Sequence, residues 1–268
     1  MMTFVPGATD TLFAGSNAGG NIVRSTDAGA TWSSVSNGLP TSGATRVEIA
    51  TTADDPNYVY ALFSASNNGL YGVYRSTDGG VTWSQRYSGA SRNLLHWDVN
   101  PGGNTAGGST GGQGWYDLAI AVSPLNRDLV YVGGVNIWRS LNGGAGWSLS
   151  AHWYGGGGAA FAHADQHWFT FEPGTNTLFV GNDGGVYSTS NGTNYTELSN
   201  GLHITQYYKI DVTEADEDLT TAGAQDNGSH LMDGTNWSRV RGGDGMDNAI
   251  AENNPNMAKP EISNSSCQ

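Results

Sequence analysis

Two imidazoles and a carboxylate fall within five residues at His163-Ala164-Asp165-Gln166-His167. In an extended strand alternate residues share a face, so this spacing predicts His163, Asp165 and His167 pointing the same way. Two histidines and an aspartate suit Zn or Mn, with positions left open for water. Asp183 and Asp226 are further candidate ligands, and an ion held by Asp117, Asp183, Asp226 and backbone oxygens would be Ca. Carboxylates gathered in one place repel unless a cation or shared protons relieve them, which is the physical argument for a divalent ion. Such an ion would polarise an ester, phosphoester or lactone oxygen and activate a water, with Asp117 or Asp244 as proton acceptor. Glycoside hydrolysis asks instead for paired carboxylates, and Asp117 with Asp165 or Asp247 supplies the residue types. Trp115, Tyr116, Trp168 and Gln206 are the expected substrate contacts; Trp97, Trp153 and Tyr154 are further aromatic platforms for a glycan. The competing expectations are plain: the polar groups tie loops together, and the aromatics pack inside sheets.

These residues are far apart in the chain, so some element must gather them. Ser25-Thr26-Asp27-Ala28-Gly29-Ala30-Thr31-Trp32 recurs as Ser76-Thr77-Asp78-Gly79-Gly80-Val81-Thr82-Trp83, then more loosely as Ser140 to Trp147 and Ser188 to Tyr195, with a remnant at Asp233 to Trp237. The closing aromatics recur at intervals of roughly 40 to 65 residues, the range of repeated supersecondary units such as propeller blades. Asp followed two residues later by Gly suits a tight turn, and short β-rich runs flank each octet, such as Gly72-Val73-Tyr74-Arg75 before and Trp32-Ser33-Ser34-Val35 after. The octet therefore reads as the hairpin between the outer two strands of a four-stranded unit. Five nearly complete blades are expected near 2–38, 44–90, 115–152, 163–200 and 204–241, within one all-β domain over 1–256. Residues 246–256 read as the start of a sixth blade, and 257–268 depart from the pattern, as a truncated frame would. The first strand of each blade lines a central channel, which would bring Arg46, Asp117, the His163/Asp165/His167 group, Gln206 and the Asp244/Asp247 pair together. Unfinished blade edges predict self-association, a homo-oligomer.

The octet resembles the Asp-box, or bacterial neuraminidase repeat, of secreted β-propellers that include sialidases, xyloglucanase-type glycoside hydrolases and the sortilin ectodomain. Two copies match S-x-D-x-G-x-T-W in full. The resemblance implies a β-propeller, an extracellular or cell-surface setting, and a structural place for Asp27 and Asp78 on the outer rim, away from ligand. It also implies a glycan-active or glycan-binding alternative to the metal-assisted hydrolase, with a non-catalytic interaction module as a third possibility. Sialidases use an arginine cluster, but Arg24, Arg75 and Arg139 each stand immediately before an octet, as features of the repeat. No G-x-S-x-G elbow is present, so nucleophilic serine catalysis has no support.

The bulk composition narrows the partners. The 268 residues carry a formal net charge of −13, and only 11 of them are Lys or Arg. Phosphate neutralisation needs clustered basic residues, so a nucleic-acid partner is not expected. No apolar run reaches spanning length, so membrane insertion is not expected either. Met1 to Pro6 lacks the charged-then-apolar pattern of a secretory leader. Cys267 is the single cysteine, which leaves no intrachain disulfide.

Overall fold

A computed structural model describes residues 1–98, 110–155, 158–202, 205–225 and 227–251, together with the backbone of 258–261. The described residues contain strands and turns and no α-helix. The chain forms two compact units, Met1–Ser199 and Asn200–Gln268.

The first unit holds four antiparallel sheets of four strands in simple meander order. They are β1 (Met2–Val5) to β4 (Ser33–Val35) through β2 (Ala8–Gly15) and β3 (Ile22–Ser25), then β5 (Ala44–Thr51), β6 (Val59–Ala65), β7 (Leu70–Ser76) and β8 (Ser84–Ser88). The third comprises β9 (Ala119–Val122), β10 (Val130–Gly133), β11 (Ile137–Ser140) and β12 (Ser148–His152). A two-residue strand, β13 (Ala160–Phe161), runs parallel to β12 along its outer edge. The fourth comprises β14 (Gln166–Phe171), β15 (Leu178–Asn182), β16 (Gly185–Thr189) and β17 (Thr196–Glu197). First strands pack in succession, β1 on β5, β5 on β9 and β9 on β14, so these are the inner strands. In the second unit β18 (Lys209–Thr213), β19 (Asp216–Ala224), β20 (Gly228–Asp233) and β21 (Asn236–Arg241) repeat the meander, and β22 (Asp247–Ile250) packs on β18 and pairs with β23 (Ala258–Glu261). All-β blades of this kind are those of a β-propeller, about five of them.

The strand period explains the core. Along β6, Val59, Ala61 and Phe63 join the cluster shared with Phe13 and Ile22 of the first sheet. The intervening Tyr60 and Leu62 face the other way, into a cluster with Val130, Val132 and Trp138 of the third sheet. β9 divides likewise: Ile120 and Val122 face the second sheet, while Ala119 and Ala121 face Phe169, Leu178 and Val180 of the fourth. A sheet buried on both faces uses every residue of its strands, and each large side chain contributes roughly 1.5–3 kcal/mol of hydrophobic stabilisation.

The octets connect β3 to β4, β7 to β8 and β11 to β12. In the second copy Asp78 Oδ1 accepts from Ser76 Oγ (2.7 Å) and Thr82 N (2.9 Å), and Oδ2 accepts from Thr82 Oγ1 (2.6 Å). The first copy repeats these bonds around Asp27, and the hydrogen bonds from Thr31 and Ser25 hold its carboxyl at about 2. In the third, Asn142 takes the same place and its Oδ1 accepts from Ser140 Oγ and Gly146 N. Trp83 donates its Nε1–H to Gly80 O (3.2 Å) and packs edge-on against Phe13 of the preceding sheet. In a meander the turns alternate between ends, so the β10–β11 and β15–β16 turns, and the connections entering β9 and β14, lie opposite the octets.

Candidate functional site

Three of the segments opposite the octets meet in the first unit: the entries to β9 and β14 and the β15–β16 turn. A tight turn precedes β9, where the N–H groups of Tyr116 (2.7 Å) and Asp117 (2.9 Å) both donate to Gln113 O. That turn throws Trp115 outward, 65% exposed, leaves Tyr116 39% exposed, and buries Asp117 completely. Arg46 on β5 fixes it: its Nη1 donates to the carbonyls of Trp115 (3.2 Å) and Tyr116 (2.9 Å), while its Nη2 pairs with Glu48 (3.0 Å).

Asp165 closes the segment that enters β14 and is 6% exposed. Its backbone is left-handed, with φ +65°, a conformation uncommon outside glycine that the surroundings must enforce. The enforcement is visible. Buried Gln166 donates to His163 O (2.6 Å), Asn182 Nδ2 donates to the same carbonyl (3.1 Å), and Asn182 Oδ1 accepts from Gly184 N (3.1 Å). A Cβ on Gly184 would stand 2.3 Å from the His163 ring, so any side chain there must displace that ring. Gln113 Nε2 donates to Asp165 Oδ1 (3.3 Å).

Asp183, in the β15–β16 turn, is held by two donors: His167 Nε2 to Oδ1 (2.6 Å) and Tyr116 OH to Oδ2 (2.8 Å). The Tyr116 ring meets His167 edge-on at 4.8 Å. Burial pushes Asp183 upward, but the bonds from His167 and Tyr116 outweigh it and hold this carboxyl below the usual range. Asp117 and Asp165 behave oppositely. Burial raises Asp117 strongly, and the adjoining Asp165 carboxyl raises it further. Neither Asp117 oxygen has a hydrogen-bond partner apart from what a proton shared with Asp165 provides. Burial and the charge of Asp183 raise Asp165, while the bond from Asp117 opposes them. The cluster therefore sets two carboxyls raised by burial, Asp117 and Asp165, beside a lowered one, Asp183, an arrangement that separates an acid from a base.

The sequence expectation for His163, Asp165 and His167 meets a correction in geometry. They do not share one strand face, because the left-handed turn at Asp165 interrupts the extended path and β14 begins only at Gln166. Among the described residues no group of three or more His, Cys, Asp or Glu side chains is placed to hold a metal ion together. Asp226 lies outside the described residues. Asp244, Asp247 and Gln206 belong to the second unit, where Asp247 pairs with Lys209 (2.7 Å) and Gln206 is exposed. Asp117, Asp165, Asp183, His167, Tyr116 and Trp115 are gathered in the first unit. Trp168 points outward from β14, beside a cavity of about 10 Å³ lined by Glu48, Ile120, His167 and Phe169, room for a single water. The site is thus an open surface with exposed rings. Sequence reasoning named Asp183 but missed Gln113, Gln166, Asn182 and Gly184 as the supports of the site.

No family model matches the chain. Among curated proteins it is similar to the xyloglucanase Xgh74A of Acetivibrio thermocellus, 28% identical over 209 residues, covering 53% of this chain and 24% of the relative. The chain thus spans about a quarter of that relative's length. Among solved structures it is similar to the GH74 enzyme of Niastella koreensis, with TM-score 0.51, 16% identity, and coverage of 90% of this chain and 38% of that one. An ancestral GH74 enzyme follows at TM-score 0.48 and 15% identity, covering 95% and 33%. The first of these structures supports the β-propeller fold. The name of the curated relative does not speak of ester, phosphoester or lactone chemistry, the reading the sequence put first.

Proposed function

We propose that the chain is a glycan-active propeller whose chemistry lies at Asp165 and Asp183. The observation that carries this reading is the pairing of oppositely shifted carboxyls with exposed aromatic rings in one place. The glycoside-directed relatives support the same direction. Hydrolysis of a glycosidic bond asks for one carboxyl that gives a proton to the leaving oxygen and another that stays ionised. Asp165 is the less buried of the two raised carboxyls, 6% exposed against none for Asp117, so it is assigned the acid role, with Asp117 behind it. Asp183, oriented by His167 and Tyr116, is assigned the base. Trp115 and Trp168 offer apolar faces on which sugar rings stack.

The reading is tested by incubating the chain with soluble β-glucans and counting new reducing ends. Asp165→Asn and Asp183→Asn are each expected to lower the rate by about 10²–10⁴, the usual contribution of general acid–base catalysis, while oligosaccharide binding persists. The rate should follow a bell in pH. Its acid limb falls below the ordinary carboxylate range, where Asp183 is neutralised, and its alkaline limb lies above that range, where Asp165 gives up its proton. Undiminished rates in both variants, or no new reducing ends with any glycan, overturn the proposal. Activity lost on chelation and restored by a divalent ion would replace it with the metal-assisted reading.

A further inference from the structure

The chemistry assigned above makes no use of Arg46, a charged side chain on the inner strand β5 that is only 16% exposed. Its Nη1 donates to two successive carbonyls in the entry to β9, those of Trp115 (3.2 Å) and Tyr116 (2.9 Å). Its Nη2 donates to Glu48 Oε1 (3.0 Å), two residues along the same strand. The Nε–H is buried without a partner, so the orientation of the head comes from those three bonds. A planar fork anchored on a strand and spanning two carbonyls holds a turn in one place. A lysine ammonium, a point charge on a flexible stem, cannot reproduce that geometry.

The two carbonyls belong to the two residues of this turn that reach the site. Trp115 presents its ring, 65% exposed, and Tyr116 donates its hydroxyl to Asp183 Oδ2 (2.8 Å). The turn is closed separately, by the N–H groups of Tyr116 and Asp117 on Gln113 O. Without Arg46 it would stay a turn but lose its tie to β5. Asp183 is faced by His167 on β14, by His163 and Asp165 from the entry to β14, and by Tyr116 and Asp117 from the entry to β9. His167 holds Oδ1 and Tyr116 holds Oδ2. A displaced Tyr116 therefore strips one oxygen of its donor while the bond to His167 stays.

We propose that Arg46, backed by Glu48, is a positioning residue that aims the Tyr116 hydroxyl at Asp183 and presents the Trp115 ring to the glycan. The roles of Asp183 and Trp115 rest on the glycan reading above. The test follows the Asp183 carboxyl carbon by NMR through a pH titration of the full chain, in wild type, Arg46→Lys, Tyr116→Phe and the double variant. The hydrogen bond from Tyr116 holds Asp183 low, so both single variants are expected to move its titration to higher pH. The double variant should move it no further than Tyr116→Phe alone. On a soluble β-glucan, Arg46→Lys should lower kcat by up to about 10², the cost of an ångström of misplacement, and raise KM severalfold. Tyr116→Phe should lower kcat and leave KM nearly unchanged. Glu48→Gln, which loosens the guanidinium from its strand, should shift Asp183 the same way to a smaller extent, and it decides the matter if Arg46→Lys does not fold. An unmoved Asp183 titration in the Arg46 and Glu48 variants overturns the inference, even where their melting temperatures fall. Shifts that add in the double variant overturn it too. A wild type that releases no reducing ends overturns the glycan reading, while the expected Asp183 shifts would still support Arg46 acting through Tyr116.

Discussion

A carboxyl that has lost its water and faces another carboxyl is a cost to the folded chain. Asp117 is that group, and Asp117→Asn keeps the shape while supplying an N–H that can donate to Asp165. At neutral pH the variant is expected to be more stable by about 1–3 kcal/mol, the scale of an unsatisfied buried polar group. The sign follows from linkage. The folded-state value of Asp117 is raised above the unfolded 3.8, so the native state is penalised increasingly as the pH rises above that value. The gain should therefore vanish below about pH 3.8 in thermal melts, and a gain that persists in acid would contradict the assignment. Gly184→Ala probes the support from the other side. Its new methyl meets the His163 ring, and displacing that segment by an ångström is expected to cost about 10² in rate with little loss of fold. Asp117, Asp165 and Asp183 were legible in the sequence as carboxylates that a repeat would gather. Gln113, Gln166 and Asn182 were not, because their roles come from carbonyls many residues away. The facing of His163 was misjudged because alternation assumes an unbroken strand, and the left-handed Asp165 breaks it.

The elements themselves were the most readable feature. The octet states its own turn: a hydroxyl, a carboxylate, a glycine with positive φ and a tryptophan that closes back on it. Gly80 carries φ +85°, and a Cβ there would lie 2.5 Å from the Phe13 ring of the neighbouring sheet. Gly80→Ala therefore meets both backbone strain and overpacking, and a loss of about 1–3 kcal/mol is expected in urea unfolding. Wild-type stability there would show that the sheets give way to each other. Asp27 and Asp78 sit at about 2, chiefly through the hydrogen bonds from Thr31 and Thr82. Their contribution is present above the unfolded 3.8 and is lost as the pH falls through about 2. Replacing both with Asn should flatten this part of the acid limb. Copies with decayed letters were harder to read, yet Asn142 holds the same turn. Its amide oxygen accepts as a carboxylate does, and Gly146 makes no demand on a second oxygen.

At the level of the whole molecule, the recurring octet and the β-rich runs beside it made an all-β repeat evident, and the inner strands could be inferred from their order. The division into two compact units could not, since the repeat continues across residue 199 without a change of pattern. Among the described residues, the apolar clusters lie within Met1–Ser199, while the buried apolar side chains of the second unit are Ala222, Ala224 and Ile250. Stability should be distributed accordingly. Hydrogen exchange on the intact chain is expected to leave β6 and β10 protected longest and to open β18 and β21 first; uniform protection would refute this. The opposition of ends noted for the sheets has a consequence for anyone altering the protein. The octets and the loops proposed for recognition lie at opposite ends of the sheets, on separate stretches of chain. Randomising Trp97, Trp115 and Tyr154 should thus yield libraries that mostly still fold, a scaffold whose specificity can be rewritten without renegotiating its architecture.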